Sequence, residues 1–230
     1  MARRVLAAWP SNRVGRRRRD QAPLFVASDG GPAGHGRGAE VDQVADLDLV
    51  GDGPGADVAG HRANDGVLHG PGNNAGMSPV YDSLGSVTEK LFDVVLNLNL
   101  KGPFRLSALV GERMVAAGRG SIINVSSTGS IRPVPSIVPY AAAKAGLNAM
   151  TEGLAAAFGP AVRVNTLMSG PFRTDASKHW DMPVVEEAAR AHALARIADP
   201  REIVGAALYL ACDASSYTTC ATLRVDGGIP

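Results

Sequence analysis

Tyr140 and Lys144 stand four residues apart in Tyr140-Ala141-Ala142-Ala143-Lys144, and on a helix that spacing puts a phenol and an ammonium on one face. A free tyrosine titrates near 10, too high for an efficient base at neutral pH. A neighbouring cation favours the phenolate. Bringing the phenol to neutrality asks for about 4 kcal/mol of differential stabilisation, available only where water is partly excluded. The same pair also fits a solvated helix face, so the surrounding residues decide. Upstream lies Ile122-Ile123-Asn124-Val125, followed by Ser126 and Ser127. A serine at the carboxyl end of a parallel strand, where open α/β sheets place ligands, can donate to a carbonyl oxygen while a tyrosine supplies the proton. A serine-rich turn accounts for Ser126 and Thr128 equally well, but not for the Tyr-x-x-x-Lys that follows.

The elements needed to position these groups are readable after residue 72, where strand-like and helix-like segments alternate. That order predicts a parallel sheet covered by helices on both faces. Ser86-x-x-Glu89 reads as a capping box opening a helix that continues through Leu91, Val94, Val95 and Leu98. An alanine-rich helix is expected over 140–158, with Pro139 just before it and Gly159-Pro160 ending it. Asp199-Pro200-Arg201-Glu202 caps another, with apolar Ile203, Val204, Ala207, Leu208 and Leu210 following. Short apolar runs at 122–125, 162–164 and 223–225 suit buried parallel strands.

Five motifs now stand in order: Asn73-Asn74-Ala75-Gly76, Asn99-Leu100-Lys101-Gly102, Asn124-Val125-Ser126-Ser127, Tyr140-Ala141-Ala142-Ala143-Lys144 and Val225-Asp226-Gly227-Gly228. In type, order and spacing they resemble the classical short-chain dehydrogenases/reductases over about residues 73–230. The resemblance implies a three-layer, doubly wound parallel sheet of Rossmann type and hydride transfer between NAD or NADP and a small carbonyl or alcohol. It implies Tyr140 as general acid/base, and Lys144 lowering the tyrosine's pKa while binding the nicotinamide ribose. Ser127, at the family's usual separation from the tyrosine, would orient the reacting group, and Asn99 would hold a water in a proton relay to Lys144. Asn73, Ala75, Gly76 and Thr174 would join Tyr140 and Lys144 in contacting the cofactor. Homo-oligomerisation to a dimer or tetramer is implied through the helices at 86–114 and 140–158.

The amino-terminal part departs from the family pattern. After a possible first strand at 24–27, Gly30, Gly34 and Gly36 fit a Gly-x-x-x-Gly-x-Gly turn for a pyrophosphate. Asp29 stands where a Thr or Ser is usual, and a carboxylate there is electrostatically unfavourable. The interval to Asn73 is about 30 residues short, roughly one βαβ unit. The strand expected before Asn73, at 67–72, contains Pro71, a residue disfavoured in a central strand. Smaller departures are Ser169-Gly170 in place of Pro-Gly, and Cys220 in place of a glycine. The stretch before residue 72 has no lysine and is dominated by Gly, Asp, Arg, Ala, Pro and His. A frame-shifted or wrongly joined reading of a GC-rich gene would give such a composition. The expected organisation is an Arg-rich disordered tail at 1–22 and one domain at 23–230, with a degenerate cofactor-binding part (23–72) and a catalytic part (73–230). A non-catalytic relative that keeps the oligomerising helices but has lost dinucleotide binding is the competing reading.

Length and composition narrow the alternatives. With 230 residues the chain suits one sizeable domain. A net charge of +1 gives no global argument for nucleic acid or an anionic membrane as partner, and Arg16 to Arg19 are the one local feature that could attract polyanions. Cys212 and Cys220 make no disulfide framework or zinc spacing, and Cys220 is expected to be a buried small side chain. No apolar run approaches the roughly 20 residues that span a bilayer, so a cytoplasmic protein without a metal is expected. Trp180 and Met182, in a segment like the family's substrate loop, suit either an apolar pocket or simple packing.

Overall fold

The computed structural model describes residues 72–174, 177–178 and 180–230. The Arg-rich tail, the first strand expected at 24–27, the glycines Gly30, Gly34 and Gly36, and most of the strand expected at 67–72 lie outside the described residues. So do Asp175, Ala176 and His179 of the loop before Trp180.

Short runs, apolar and partly β-branched except in the two-residue first strand, form four parallel strands in the spatial order β1-β2-β3-β4. They are β1 (Gly72–Asn73), β2 (Gly120–Ser127), β3 (Val162–Ser169) and β4 (Thr222–Val225). Gly72 pairs with Ile123, Ser127 with Ser169, and Thr166 with Thr222. Side chains on a strand alternate in direction, and neighbouring isoleucines of β2 therefore enter different cores. Ile122 packs with Val162, Val164, Leu154 and Ala155, whereas Ile123 packs with Leu167 and Leu210. Helices on both faces make the three layers expected of a Rossmann-like sheet.

The helix between β1 and β2 starts later than its sequence suggests. Ser86 is spent on a 3-10 turn, where its hydroxyl accepts from the Ser83 N–H at 3.1 Å and donates to the Ser83 carbonyl at 2.8 Å. Thr88 is the cap, accepting from the Leu91 N–H, and α1 runs Glu89–Leu96. A π turn, Asn97–Lys101, leads into α2 (Gly102–Ala117), which stops at Gly118 with φ 77°, the left-handed cap that glycine adopts most easily. The alanine-rich helix α3 runs Val138–Phe158, taking Pro139 into its first turn. α4 is Met182–Ala189, so Met182 begins a helix rather than ending a loop. α5, Val204–Ala211, follows a 3-10 turn that Asp199 caps, with Glu202 accepting from the Asp199 N–H at 2.7 Å.

α2 and α3 pack together on the Ile122 face. Gly111 lets them approach, since a Cβ there would overlap the Phe158 ring. Between helices and sheet lies a buried amide network. The Asn73 side chain donates to Asn124 Oδ1 at 2.7 Å and to Ser107 Oγ at 2.9 Å, and Asn124 Nδ2 donates to Thr151 Oγ1 at 2.9 Å. Thr151 in turn donates to the Leu147 carbonyl. On the other face, Arg163 lies against the carboxyl end of α5, donating to the Leu210 and Cys212 carbonyls, a favourable place for a cation at a helix end. Among the described residues no helix is long and apolar enough to cross a membrane. Cys220 is exposed, correcting the expectation of a buried side chain, and has φ 60°. That backbone conformation favours glycine.

The amide network links β1 and β2 to both helices of that face. Asn124→Ala leaves one of the two Asn73 amide protons without its acceptor and removes the donor to Thr151 in a site that water does not reach. A loss of about 3 kcal/mol in urea unfolding is expected. A loss below about 1 kcal/mol would mean that the network does not hold β1 and α3 on β2.

Candidate active site

The carboxyl end of β2 is where the candidate residues meet. Strand alternation separates the two serines. Ser126 is buried and donates to the Lys144 carbonyl at 3.3 Å. Ser127 is half-buried and accepts from the Gly129 N–H at 3.1 Å, and its hydroxyl is near enough to the Tyr140 phenol to draw that group's pKa down. A tight 3-10 turn, Thr128–Ser130, returns the chain toward α3.

α3 presents Tyr140 and Lys144 to this strand end. Lys144 is 3% exposed, donates to the Val125 carbonyl at 2.9 Å, and lies 5.7 Å from the centre of the Tyr140 ring. Burial lowers the Lys144 pKa to about 8. Burial also pushes the Tyr140 phenol above its ordinary value, with the nearby Ser127 hydroxyl pulling the other way. This differs from the expectation that Lys144 lowers the tyrosine pKa. The ammonium is directed at a backbone carbonyl and the ring, and loss of water is the largest influence on both groups.

Asn99 sits in the π turn, an insertion that often marks functional segments. Its Nδ2 donates to the Met77 and Val95 carbonyls, both at 2.9 Å. Its Oδ1 is buried and has no hydrogen-bond partner among the described residues. A Cβ on Gly76 would lie 2.7 Å from that oxygen and 3.4 Å from Lys144 Nζ. Gly76, Asn99 and Lys144 are thus in close contact, with no room at Gly76 for a side chain.

Asn73 is placed differently. Both protons of its side-chain amide are used inside the sheet–helix layer, so that amide has no donor left for a ligand. Ala75 is partly buried and Gly76 exposed in the loop that leaves β1. Thr174 is exposed beyond β3, in a turn closed by the Ser177 N–H on the Thr174 carbonyl at 3.0 Å. Trp180 is partly exposed.

Two supporting residues escaped the sequence reading. Asn148 donates to Ser130 Oγ at 2.9 Å, and Ser130 donates to the Ser127 carbonyl at 2.6 Å. Asn148 continues the Tyr140, Lys144 spacing by four more residues, and that period was the available signal. Gly170 approaches the Asp226 backbone so closely that a Cβ would lie 2.7 Å from its Cα.

The family model described as enoyl-(acyl carrier protein) reductase matches residues 56–230, which carries the likeness upstream of Asn73. Dehydrogenase/reductase SDR family member 4 of Bos taurus is 36% identical over 159 residues, 68% of this chain and 57% of that protein. The chain therefore spans less than two thirds of that relative. The solved gluconate 5-dehydrogenase of Burkholderia cenocepacia, in complex with NADP and tartrate, is 30% identical with a TM-score of 0.65, covering 72% of this chain and 66% of that one. A 3-oxoacyl-(acyl-carrier protein) reductase of Brucella melitensis with bound NAD is 31% identical with a TM-score of 0.64, covering 72% and 63%.

The lowered Lys144 pKa has a signature in stability. The unfolded lysine, near 10.5, binds more protons than the folded one between about pH 8 and 10.5, so stability rises with pH across that window. Tyr140, raised above 10, works in the opposite direction from about pH 10 upward. Wild type should therefore gain on Lys144→Met between pH 8 and 10, by on the order of 2 kcal/mol in chemical unfolding. A flat difference across that range would mean that the ammonium is solvated.

Proposed function

The chain belongs to the short-chain dehydrogenase/reductase family, and from that premise we propose that it is an NAD(P)-dependent oxidoreductase interconverting a carbonyl and a secondary alcohol. The observation that carries this reading is the convergence of Ser127, Tyr140 and Lys144 at the end of β2, with the Asn99 Oδ1, unpartnered among the described residues, beside them.

Ser127 would donate to the substrate oxygen and set its direction. Tyr140, protonated at neutral pH as an ordinary tyrosine is, would give its phenolic proton to that oxygen during reduction and take it back during oxidation. Lys144 and the Asn99 carbonyl oxygen lie together beside Gly76, and a ribose hydroxyl or a bridging water that reached them would satisfy the buried acceptor. The unsatisfied Asn99 oxygen beside the Lys144 ammonium suits the ribose of a dinucleotide of the kind bound by the two solved relatives. NAD or NADP would supply the hydride. Of the remaining candidates, Ala75, Gly76 and Thr174 would border the cofactor, and Asn73 would act through the sheet it holds together.

The substrate would be a small carbonyl compound or alcohol. Self-association into a dimer or tetramer is proposed through α1, α2 and α3; on α1 and α2, Phe92, Phe104 and Leu109 are 40%, 48% and 45% exposed.

The test is a titration of purified protein with NADH and with NADPH, following nicotinamide fluorescence and melting temperature together. Saturable binding that raises the melting temperature is expected with at least one of them. In a carbonyl screen, Tyr140→Phe should bind the cofactor about as well and lose about 100-fold or more in turnover. Absence of binding by folded protein would sink the oxidoreductase reading for this chain.

A further inference from the structure

α3 begins without a cap of its own. The residue at its cap position is Ile137, which has no side-chain hydrogen-bonding group, and Pro139 in the first turn brings no N–H. The first N–H of the helix, on Val138, is satisfied from elsewhere in the chain. It donates to the Tyr81 hydroxyl at 2.9 Å, and that hydroxyl donates to the Pro135 carbonyl at 2.6 Å. One phenol thus closes both sides of the entry into α3, two residues before Tyr140. Tyr81 also borders, with Ile137, Pro139 and Tyr140, a small apolar cavity closed by Leu91 and Val95 of α1. Its loop is held at the other end by the Met77 carbonyl, which accepts from Asn99.

We propose that Tyr81 is a positioning residue for Tyr140, its hydroxyl standing in for the missing cap and fixing the first turn of α3 so that the Tyr140 phenol stays against Ser127. The inference rests on the reading of Tyr140 as the proton-transfer group. An unfastened first turn frays readily, because its N–H groups have no partner within the helix. Fraying here would admit water to a phenol that is otherwise shielded from it, and would loosen its aim at the substrate oxygen.

Tyr81→Phe keeps the ring in the cavity and removes the hydroxyl. The decisive measurement is the ultraviolet titration of Tyr140 without cofactor, taken as the difference between each protein and its Tyr140→Phe partner. In the Tyr81→Phe background Tyr140 is expected to titrate lower, toward ordinary tyrosine. Turnover should fall about 10-fold with the cofactor KM within about twofold. Tyr209→Phe, which removes a hydroxyl paired with Thr218 far along the chain, should change neither. A Tyr140 titration that is unmoved or moved upward overturns the proposal, even if the variant melts at a lower temperature, because Tyr81 is then only a tether. If wild type turns over no carbonyl, the oxidoreductase reading falls separately and the titration still decides the role of Tyr81.

Discussion

Lys144 carries its ammonium into the interior and directs it at one backbone acceptor, the Val125 carbonyl; keeping that contact fixes how α3 must lie on β2. A buried cation is tolerated only where it is paired or hydrogen-bonded. The end of a parallel strand is one of the few interior places with backbone groups to offer. Tyr140 lies one turn before Lys144 and therefore arrives at Ser127. Thr151, two turns beyond it, arrives at Asn124. Once the ammonium is placed, the helix has little freedom to slide or rotate.

The same contact requires the strand itself to be rigid, and here the buried amides matter. Asn73 and Asn124 join β1 to β2, while Ser107 and Thr151 tie them to α2 and α3. Apolar residues at these points would pack as densely but would leave register to shape alone. A fully partnered polar network penalises any slip, because each slip strands a donor in a medium without water. The Gly111 contact with Phe158 works with it, bringing α2 and α3 close enough for both to reach the strand.

The sequence displayed the parts with strong local signatures. The Tyr-x-x-x-Lys period, the strand before Ser126 and the Asp199 cap each follow from neighbours within a turn or a strand, and the structure has all three elements. The start of α1 was misplaced because two capping signals overlap within six residues, and Ser83 competes successfully for Ser86. The effect of burial on Tyr140 was not legible for a different reason. Spacing shows that a cation is near, but burial depends on what covers the pair, and α1 and the loop after β1 are remote in sequence. Tyr81 was invisible for the same reason, since it caps a helix 57 residues away. The exposure of Cys220 likewise depends on how the chain turns from α5 into β4.

Adjacent residues in the motifs divide holding from reacting, and strand geometry forces that division. Side chains on β2 alternate, so only one of Ser126 and Ser127 can face the opening; the other must enter the layer beneath α3, where it meets the Lys144 carbonyl. Ile122 and Ile123 divide between the two cores by the same rule. In the loop after β1 the division is between types rather than directions. Asn73 spends its amide inside the layer, while Gly76 lets the loop approach Asn99 more closely than a side chain would allow. A doublet such as Ser126-Ser127 is therefore not redundant. Exchanging the two roles would require the strand to shift by one residue, which would carry Ile122 and Ile123 into each other's cores and break the Asn124 contacts.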